Sequence, residues 1–353
     1  MTFEEGRALF PVLERTAYLN AGTFGPLARP VADAMAEGIA RDVELGRSGL
    51  AYFEETLGLR AELRARLGTL VGAAPEQVAL TTSTTEACAI VIRGLGLAPG
   101  DEIVTTTDEH FGLLGPLAAS AASVVVVPPD PERILAAVTA RTKLVATSQV
   151  LWTTGAVLQL AELRERSGVP VLADGAQSVG ALPASAAGVD FLTISGQKWL
   201  CGPDSTGALV VSDPERLAVP SPSYFAQTRH EPDGRFVPHP DARRFESGWW
   251  SAGTLRGMLA ALALRPDWAH DRAAEMAARC RALLESHVEL VAPPVTSTLV
   301  SFRPDGQPPE VVARLHAADV HVRELPGRGL VRVSCGWWTS DDDLERLVAA
   351  LAS

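Results

Sequence analysis

The chain has 353 residues, of which 47% are hydrophobic and only 6% aromatic, so it can bury a sizeable core built largely from Ala, Val and Leu. This length favours two domains, one large and one small, over one small core. The formal net charge of -11 at pH 7 argues against nucleic acid or an anionic membrane as the main partner.

The N-terminal residues and the cysteines bear on the compartment. The first ten residues, MTFEEGRALF, lack a signal-peptide pattern, and no apolar run approaches the length of a membrane span. We therefore expect a cytoplasmic protein with neither a membrane anchor nor a metal site. Four widely spaced cysteines without a metal-ligand pattern suit a reducing compartment. They are Cys88, Cys201, Cys280 and Cys335.

Between residues 60 and 212, helical patterns alternate with seven short apolar runs. This alternation predicts an α/β fold with a mostly parallel seven-stranded sheet and helices on both faces. Ligands of such sheets bind beyond the carboxyl ends of the strands. We interpret SVVVVPP at 123–129 as a short buried strand. The runs are VALTT (78–82), DEIVTT (101–106), SVVVVP (123–128), KLVATS (143–148), PVLADG (170–175), DFLTIS (190–195) and TGALVVS (206–212).

The second part of the chain has a different pattern. Residues 219–245 are rich in Pro and polar residues and predict a long excursion, either a lid or a subunit contact. One long helix is expected at 253–287, followed by a small α/β unit that ends in a helix capped by Thr339 or Ser340. Its other parts are strand 298–304, helix 308–319, strand 320–325 and strand 329–336, and one face of the last helix carries Leu344, Leu347, Val348 and Leu351.

Two motifs follow apolar strands. Asp174 in DGAQ closes the strand PVLA, and it is either a helix cap or a carboxylate that pairs with a protonated pyridine nitrogen. Lys198 in SGQKW follows the strand DFLTIS, where a buried ammonium is costly. It is either a lysine that extends to solvent or an amine with a lowered pKa that attacks an aldehyde.

A third motif, TTSTTEA at 81–87, runs from a strand into a helix. Ser83 and Glu86 have the spacing of a capping box, which alone could explain it. Three consecutive hydroxyl residues, Ser83, Thr84 and Thr85, also suit a phosphate site, because free N–H groups and the helix dipole favour an anion there. Each motif alone is weak evidence for a binding site, but the three together, in this order and spacing, are stronger evidence.

With these motifs, the chain resembles the class V aminotransferase group of pyridoxal-phosphate enzymes, which have fold type I. The resemblance runs from YLNAGTFGPL at 18–27 to LVRVSCGWWTSDDDLERL at 330–347. It implies a large cofactor-binding domain over 16–252 and a small domain over 253–353, with residues 1–15 packed on the small domain. It also implies a homodimer with active sites at the interface and a small amino-acid substrate.

The resemblance implies roles for single residues. Lys198 is expected to hold pyridoxal 5'-phosphate as a Schiff base, Asp174 to pair with its ring nitrogen, and Gln177 to reach its ring hydroxyl. His110 in DEHFG would stack on the ring, although it also fits a loop histidine. The expected phosphate contacts are Thr84, Thr85, Ser195 and Gln197, with Trp249 as a further cofactor contact, and the expected substrate contacts are Arg332, Arg323, Asn20 and Trp152.

The chain departs from the family pattern in four places. The stretch VHVRELPGRGL before Arg332 lacks the catalytic Cys of cysteine desulfurases, and Cys335 lies beyond it in a strand. In FESGWW, Trp249 stands where relatives often have a Thr that reaches the neighbouring subunit's phosphate. Trp152 or Thr153 takes the place of an Asn, and Gln197 the place of a His, of many relatives.

With these departures, the chain looks most like the cystine and cysteine-derivative C–S lyases. Two arginines suit a substrate with a polar or second acidic group, although Arg323 also fits a solvated strand residue. The leading expectation is β-elimination, with Lys198 as the base, that releases pyruvate, ammonia and a sulfur species. The alternatives are an aminotransferase or amino-acid epimerase of the same group, a cysteine desulfurase-like protein, and a cofactor-bearing binding protein without turnover.

Overall fold

The structure is a computed structural model that describes residues 1–352. These residues form eleven α-helices and fifteen β-strands. The helices are α1 (Phe3–Ala8), α2 (Arg29–Leu45), α3 (Gly49–Val71), α4 (Thr84–Gly94), α5 (Phe111–Ala118), α6 (Pro131–Ala137), α7 (Leu160–Ser167), α8 (Ala252–Leu264), α9 (Ala269–Leu284), α10 (Pro308–Ala317) and α11 (Asp341–Ala352). The strands are β1 (Ala17–Tyr18), β2 (Val78–Thr81), β3 (Glu102–Thr106), β4 (Ser123–Val127), β5 (Thr142–Ser148), β6 (Val171–Asp174), β7 (Phe191–Ser195), β8 (Gly207–Val211), β9 (Gln227–His230), β10 (Phe236–Pro238), β11 (Glu289–Leu290), β12 (Leu299–Arg303), β13 (Val320–His321), β14 (Arg323–Leu325) and β15 (Leu330–Ser334).

The central sheet has seven strands in the order β2-β8-β7-β6-β5-β3-β4. Only β8 runs antiparallel to its neighbours within this sheet. Alternate residues of each strand enter two cores, one under α3 and α8 and the other under α4 and α5. Both faces are therefore covered, as parallel strands require. The predicted α/β fold with a seven-stranded sheet is confirmed.

Strand β4 corrects one expectation. The run SVVVVP was predicted to be a buried strand, but β4 is the edge of the sheet and pairs only with β3 within residues 1–352. Val126 is 52% exposed. Apolar composition alone does not distinguish an edge strand from a central one.

A second, antiparallel sheet has the order β11-β12-β15-β14 and its own apolar core with α9, α10 and α11. The N-terminal residues join this part of the molecule. Strand β1 pairs with β13, and Arg7 of α1 forms an ion pair with Asp343 of α11 at 2.7 Å. The domain boundaries given above remain a prediction.

Two predicted elements are divided in the structure. The helix expected at 253–287 breaks into α8 and α9, because Pro266 lacks an N–H group and forces Arg265 into an extended conformation (φ -67°, ψ 119°). The strand expected at 320–325 is also two strands. Strand β13 pairs with β1, whereas β14 pairs with β15.

Two other parts agree with the sequence pattern. Ser340 caps α11, since its hydroxyl accepts a hydrogen bond from the Asp343 N–H at 3.2 Å. The excursion at 219–245 contains the β9–β10 hairpin, and its role as a lid or subunit contact remains a prediction. No helix within the described residues is long and apolar enough to cross a membrane.

Candidate active site

The carboxyl ends of the parallel strands bring the candidate residues to one edge of the central sheet. Asp174 ends β6, and Lys198 follows β7 by three residues. Thr84 begins the helix after β2, and His110 caps the helix after β3. This edge is where ligands bind in parallel α/β sheets.

Asp174 is 3% exposed, and its Oδ1 is hydrogen-bonded to neighbouring protein groups. That oxygen accepts hydrogen bonds from the Ala176 N–H at 2.9 Å and the Thr193 hydroxyl at 3.1 Å. Within residues 1–352, Oδ2 receives no hydrogen bond. This oxygen is therefore free to accept a hydrogen bond from a protonated nitrogen of a bound group, and such a charge-assisted bond is a strong one. Thr193 supports Asp174 and was not identified from the sequence.

Lys198 is half-buried beside this carboxylate. Loss of hydration lowers the pKa of its amine to about 8, with a smaller lowering by the charges of Arg332 and Arg323. The Asp174 carboxylate opposes that change. A lysine with such a pKa is partly neutral near pH 8, so it can act as a nucleophile or as a base.

The N-terminus of α4 presents a site for an anion. The Ser83 hydroxyl accepts from the Glu86 N–H at 3.1 Å, so it caps the helix. The Glu86 carboxylate binds the N–H and hydroxyl of Thr82, and therefore only half of the expected capping box forms. The N–H groups of Thr84 and Thr85 precede the first internal helix bond and are available to a phosphate.

His110 and Trp152 form one wall of the site. Their rings meet edge to face with centroids 5.4 Å apart. The Gly112 N–H donates to His110 Nδ1 at 3.0 Å, which leaves Nε2 to carry the proton of the neutral ring. Loss of hydration and then the charge of Lys198 lower the pKa of His110, so the ring is neutral at pH 7. The indole N–H of Trp152 is buried and has no partner within residues 1–352.

Arg332 and Arg323 are opposite each other on β15 and β14. Arg332 is 1% exposed, donates from Nη1 to the Trp152 carbonyl at 2.9 Å, and has a buried Nε without a partner in the described chain. Burial and then the charge of Arg323 lower the pKa of Arg332 to about 9. Neither arginine has an acidic partner within residues 1–352, which makes the pair suitable for a ligand carboxylate.

The segment after β1 closes over this arginine. A Cβ atom on Gly22 would lie 2.5 Å from Arg332 Nη2, so the backbone can pass there only without a side chain. Asn20 accepts from the Thr23 hydroxyl at 2.8 Å, and Arg323 Nη1 donates to the same hydroxyl at 3.0 Å. Asn20 is thus linked to Arg323 through Thr23.

Gln177 lies in the site, but its amide is already engaged. Its Nε2 donates to the Gly22 carbonyl at 2.9 Å, and its Oε1 accepts from the Trp199 indole at 3.0 Å. The expected contact with a ring hydroxyl would have to use the second Nε2–H. The side chain therefore also ties the segment after β1 to the loop of Lys198.

Ser195, Gln197 and Trp249 are the remaining residues that were expected to contact the cofactor. The Ser195 hydroxyl donates to Gln197 Oε1 at 3.2 Å, so these two lie together beside Lys198. Trp249 stacks on Phe53 of α3, with centroids 5.4 Å apart and an interplanar angle of 13°. Its contact with the cofactor of a neighbouring subunit remains a prediction.

Glu109 is a buried carboxylate of the site that sequence reasoning missed. It accepts from the hydroxyls of Thr106, Thr147 and Ser148 at 2.6–2.7 Å and from the Ser148 N–H at 2.9 Å. Burial raises its pKa, and these hydrogen bonds oppose the change. Glu109 joins the ends of β3 and β5 and thereby fixes the turn that carries His110.

A phosphorylated pyridine aldehyde fits the residues present. Asp174 Oδ2 can receive a ring N–H, the start of α4 can receive a phosphate, and the Lys198 amine can bind an aldehyde. Within residues 1–352, no group of three or more His, Cys, Asp or Glu side chains is arranged to hold a metal ion.

Comparisons with known proteins agree with this geometry. The isopenicillin N epimerase of Streptomyces clavuligerus is 27% identical over 99% of this chain and 97% of its own length. A probable cysteine desulfurase of Pseudomonas aeruginosa is 31% identical over 78% of each chain. The structure of the cystine C–S lyase C-DES with its reaction product cysteine persulfide is 25% identical, has a TM-score of 0.90, and matches 98% of this chain and 99% of its own.

A second C-DES structure, with glycine covalently linked to its pyridoxal-phosphate cofactor, has a TM-score of 0.91 at 25% identity. It covers 98% of this chain and 99% of its own. The family model for class-V aminotransferases matches residues 18–347. The chain therefore belongs to the class-V aminotransferase family and is a pyridoxal-phosphate-dependent enzyme.

Proposed function

We propose that the enzyme is a C–S lyase that carries out β-elimination on cystine or another S-substituted cysteine derivative. Its products would be pyruvate, ammonia and a sulfur species. The likeness to the cystine C–S lyase C-DES over 98% of the chain supports this proposal. The observation that carries it is that all four cysteines are buried.

A desulfurase hands sulfur to a mobile, exposed thiolate. Cys335, three residues after Arg332, is 0% exposed in the core of the second sheet. Its contact with Cys280 and then burial raise the pKa of its thiol well above the ordinary value. Residues 320–329 contain no cysteine. A relay of sulfur through a protein thiol therefore has no suitable group near the arginine pair.

The residues of the site supply what elimination requires. Bound pyridoxal phosphate supplies an electron sink for the negative charge that develops at Cα of an amino acid. In this proposal, Asp174 binds the ring nitrogen, and Thr84, Thr85, Ser195 and Gln197 surround the phosphate. The Asp174 contact would be a charge-assisted hydrogen bond, because the carboxylate and the protonated ring nitrogen carry opposite charges.

Lys198 would hold the cofactor, and its amine, when free, would take the Cα proton of a bound amino acid. With a pKa of about 8, about a quarter of the free amine is neutral at pH 7.5, against about 0.1% for an ordinary lysine. Arg332 binds the substrate α-carboxylate, and Arg323 and Trp152 lie where a second polar group would reach. His110, a neutral side chain in the wall of the site, would cover the cofactor ring.

Product analysis of the holoenzyme tests the proposal. Cystine should yield pyruvate and ammonia without an added keto acid, and Lys198→Ala should abolish the reaction. A variant with all four cysteines changed to Ala should retain most activity, apart from losses of stability at buried positions. Alanine as the main product, lost on changing one cysteine, would instead indicate a desulfurase. Strict dependence on a keto acid would indicate a transaminase.

A second candidate is an amino-acid epimerase, which the similarity to isopenicillin N epimerase over 99% of the chain supports. Epimerisation also begins with loss of the Cα proton, but a proton then returns to the opposite face. Incubation of single L-amino acids in D₂O followed by chiral chromatography separates the two reactions. Deuterated D-amino acid without pyruvate would favour the epimerase.

A further inference from the structure

The turn between β14 and β15 contacts the loop that carries His110. This turn comprises residues 326–329 and includes Arg328. Arg328 donates from Nη1 to the Asp108 carboxylate at 3.1 Å and from Nη2 to the Thr107 carbonyl at 3.1 Å. One guanidinium therefore binds two successive residues that follow β3. We call these two contacts the Arg328 bridge.

The Arg328 bridge joins the two sheets at the candidate active site. Strand β3 belongs to the central sheet, and His110 follows two residues after Asp108. Strands β14 and β15 belong to the second sheet and carry Arg323 and Arg332 opposite each other. The bridge thus connects the hairpin that presents the arginine pair to the loop that presents His110.

The turn is short and its backbone is well defined. Leu325 pairs with Leu330 across it, and the Arg328 N–H donates to the Leu325 carbonyl at 3.0 Å. Gly327 and Gly329 have φ angles of 72° and 66°, a region that favours glycine. The arginine pair lies only two residue pairs further along the hairpin. A contact made by the turn therefore fixes the strands that carry the arginines.

The loop that receives the guanidinium is held by the central sheet. The Thr107 N–H donates to the Val127 carbonyl of β4 at 2.9 Å. The Asp108 N–H donates to the Thr106 hydroxyl at 3.4 Å, and that hydroxyl donates to Glu109 at 2.7 Å. Both acceptors of the Arg328 bridge are therefore fixed before the guanidinium reaches them.

The second sheet is also tied to the central sheet through the loop that carries Trp152. Arg332 donates to the Trp152 carbonyl at 2.9 Å, and the Ser301 hydroxyl of β12 donates to the Thr153 carbonyl at 2.6 Å. The Arg328 bridge is a separate contact, at the turn of the hairpin. His110 and Trp152, which form one wall of the site, are thus each linked to the strands of the arginine pair.

We propose that Arg328 is a positioning residue for the reaction, which sets the place of the arginine pair relative to the His110 wall. A bound amino acid would have its carboxylate on Arg332 and its Cα at the cofactor, so the spacing of the two sheets decides whether both fit. Asp174 and Lys198, which would hold the cofactor, lie on the central sheet alone. Loss of the bridge should therefore weaken amino-acid binding and leave cofactor binding unchanged. This inference rests on the role proposed above for Arg332, but it holds for elimination and for epimerisation alike.

Titration of the holoenzyme with glycine, followed through the cofactor's absorbance, tests the proposal. Glycine has the α-carboxylate but no leaving group, so the result does not depend on elimination. Arg328→Met should raise the dissociation constant of glycine by about threefold to fivefold, the size expected for a partly exposed ion pair. Arg328→Lys should have a smaller effect, because an ammonium can still pair with Asp108 but lacks the two-pronged geometry. The affinity of the apo chain for pyridoxal phosphate should be the same in all three proteins.

A double-mutant cycle tests whether the bridge itself is responsible. Asp108→Ala removes the carboxylate partner and should also weaken glycine binding. Adding Asp108→Ala to Arg328→Met should weaken glycine binding no further, because the ion pair is already lost. Additive effects of the two substitutions would mean that the two residues act independently, and would overturn the proposal.

Two further variants keep the result specific. Arg303→Met removes an exposed arginine that pairs with Glu289 at 3.2 Å on the opposite edge of the same sheet, and it should bind glycine as the wild type does. Arg332→Met should weaken glycine binding by more than about tenfold, since it removes a buried charged donor. Unchanged binding in Arg332→Met would refute the role of Arg332 on which the proposal rests. Weaker binding in Arg332→Met but not in Arg328→Met, or an equal loss of cofactor affinity in Arg328→Met, would overturn the positioning role of Arg328.

Discussion

At the scale of single residues, the site depends on partners that are distant in sequence. Thr193 supports the Asp174 carboxylate from 19 positions away, and Ser148 supports Glu109 from 39 positions away. Lys198 and Asp174 could be predicted because each follows an apolar strand in a short motif. Glu109 and Thr193 could not, because nothing near them in sequence marks a buried hydrogen-bond partner.

The amine of Lys198 leads to a prediction about pH. Because the neutral amine is the nucleophile, the rate at which the apo chain recombines with pyridoxal phosphate should rise with pH through a midpoint near 8. Arg323→Met removes a positive charge that lowers this pKa, so the midpoint should move to higher pH. The cofactor's absorbance gives the rate, and borohydride reduction with peptide mapping should label Lys198.

Arg303→Met is the matched control for this pH experiment, since Arg303 is exposed and paired with Glu289 on β11. It should leave the midpoint unchanged. A midpoint of 10 or above in the wild type would mean that the amine has the pKa of an ordinary lysine. Label on another lysine would reject the role of Lys198 itself.

At the scale of elements, the sequence predicted which segments form strands and helices but not where tertiary contacts divide them. Pro266 was visible in the expected helix at 253–287, yet the apolar pattern continues across it. The division of 320–325 has no local signal, because it arises when β1 pairs with β13 from about 300 residues away. The exposure of β4 likewise depends on its place at the sheet edge.

The joint between α3 and the segment before α8 depends on a buried ion-pair network. Glu246 is 2% exposed and binds both Arg60 and Arg64 of α3, as well as the Leu80 N–H of β2. Glu246→Gln should lower the free energy of unfolding by about 3–5 kcal/mol, because it leaves two arginines buried without a negative charge. Urea unfolding of the holoenzyme measures this loss.

An exposed pair on the same helix provides the control for Glu246. Glu62 and Arg66 are each 48% exposed and pair at 2.8 Å. Glu62→Gln should lower the free energy of unfolding by less than about 1 kcal/mol. Equal effects of the two substitutions would show that burial adds nothing to the Glu246 network.

At the scale of the whole molecule, exposed apolar side chains concentrate on α2 and the start of α3. Val43 is 80% exposed, Leu45 68% and Leu50 70%. A group of large apolar side chains on one surface is typical of a protein interface. We propose that a second copy of the chain covers this surface, which is consistent with the homodimer that the family resemblance implies.

The double substitution Val43→Glu and Leu50→Glu should disrupt such a dimer, because two carboxylates would be buried in each half of an apolar contact. Sedimentation velocity should give the wild type a mass of twice 37.3 kDa and the variant the mass of one chain. Val295→Glu, at an exposed valine elsewhere on the surface, should leave the dimer intact. If Trp249 completes the site of the neighbouring subunit, the monomeric variant should also lose most of its elimination activity. A wild-type monomer with full activity would contradict both the interface and the role of Trp249.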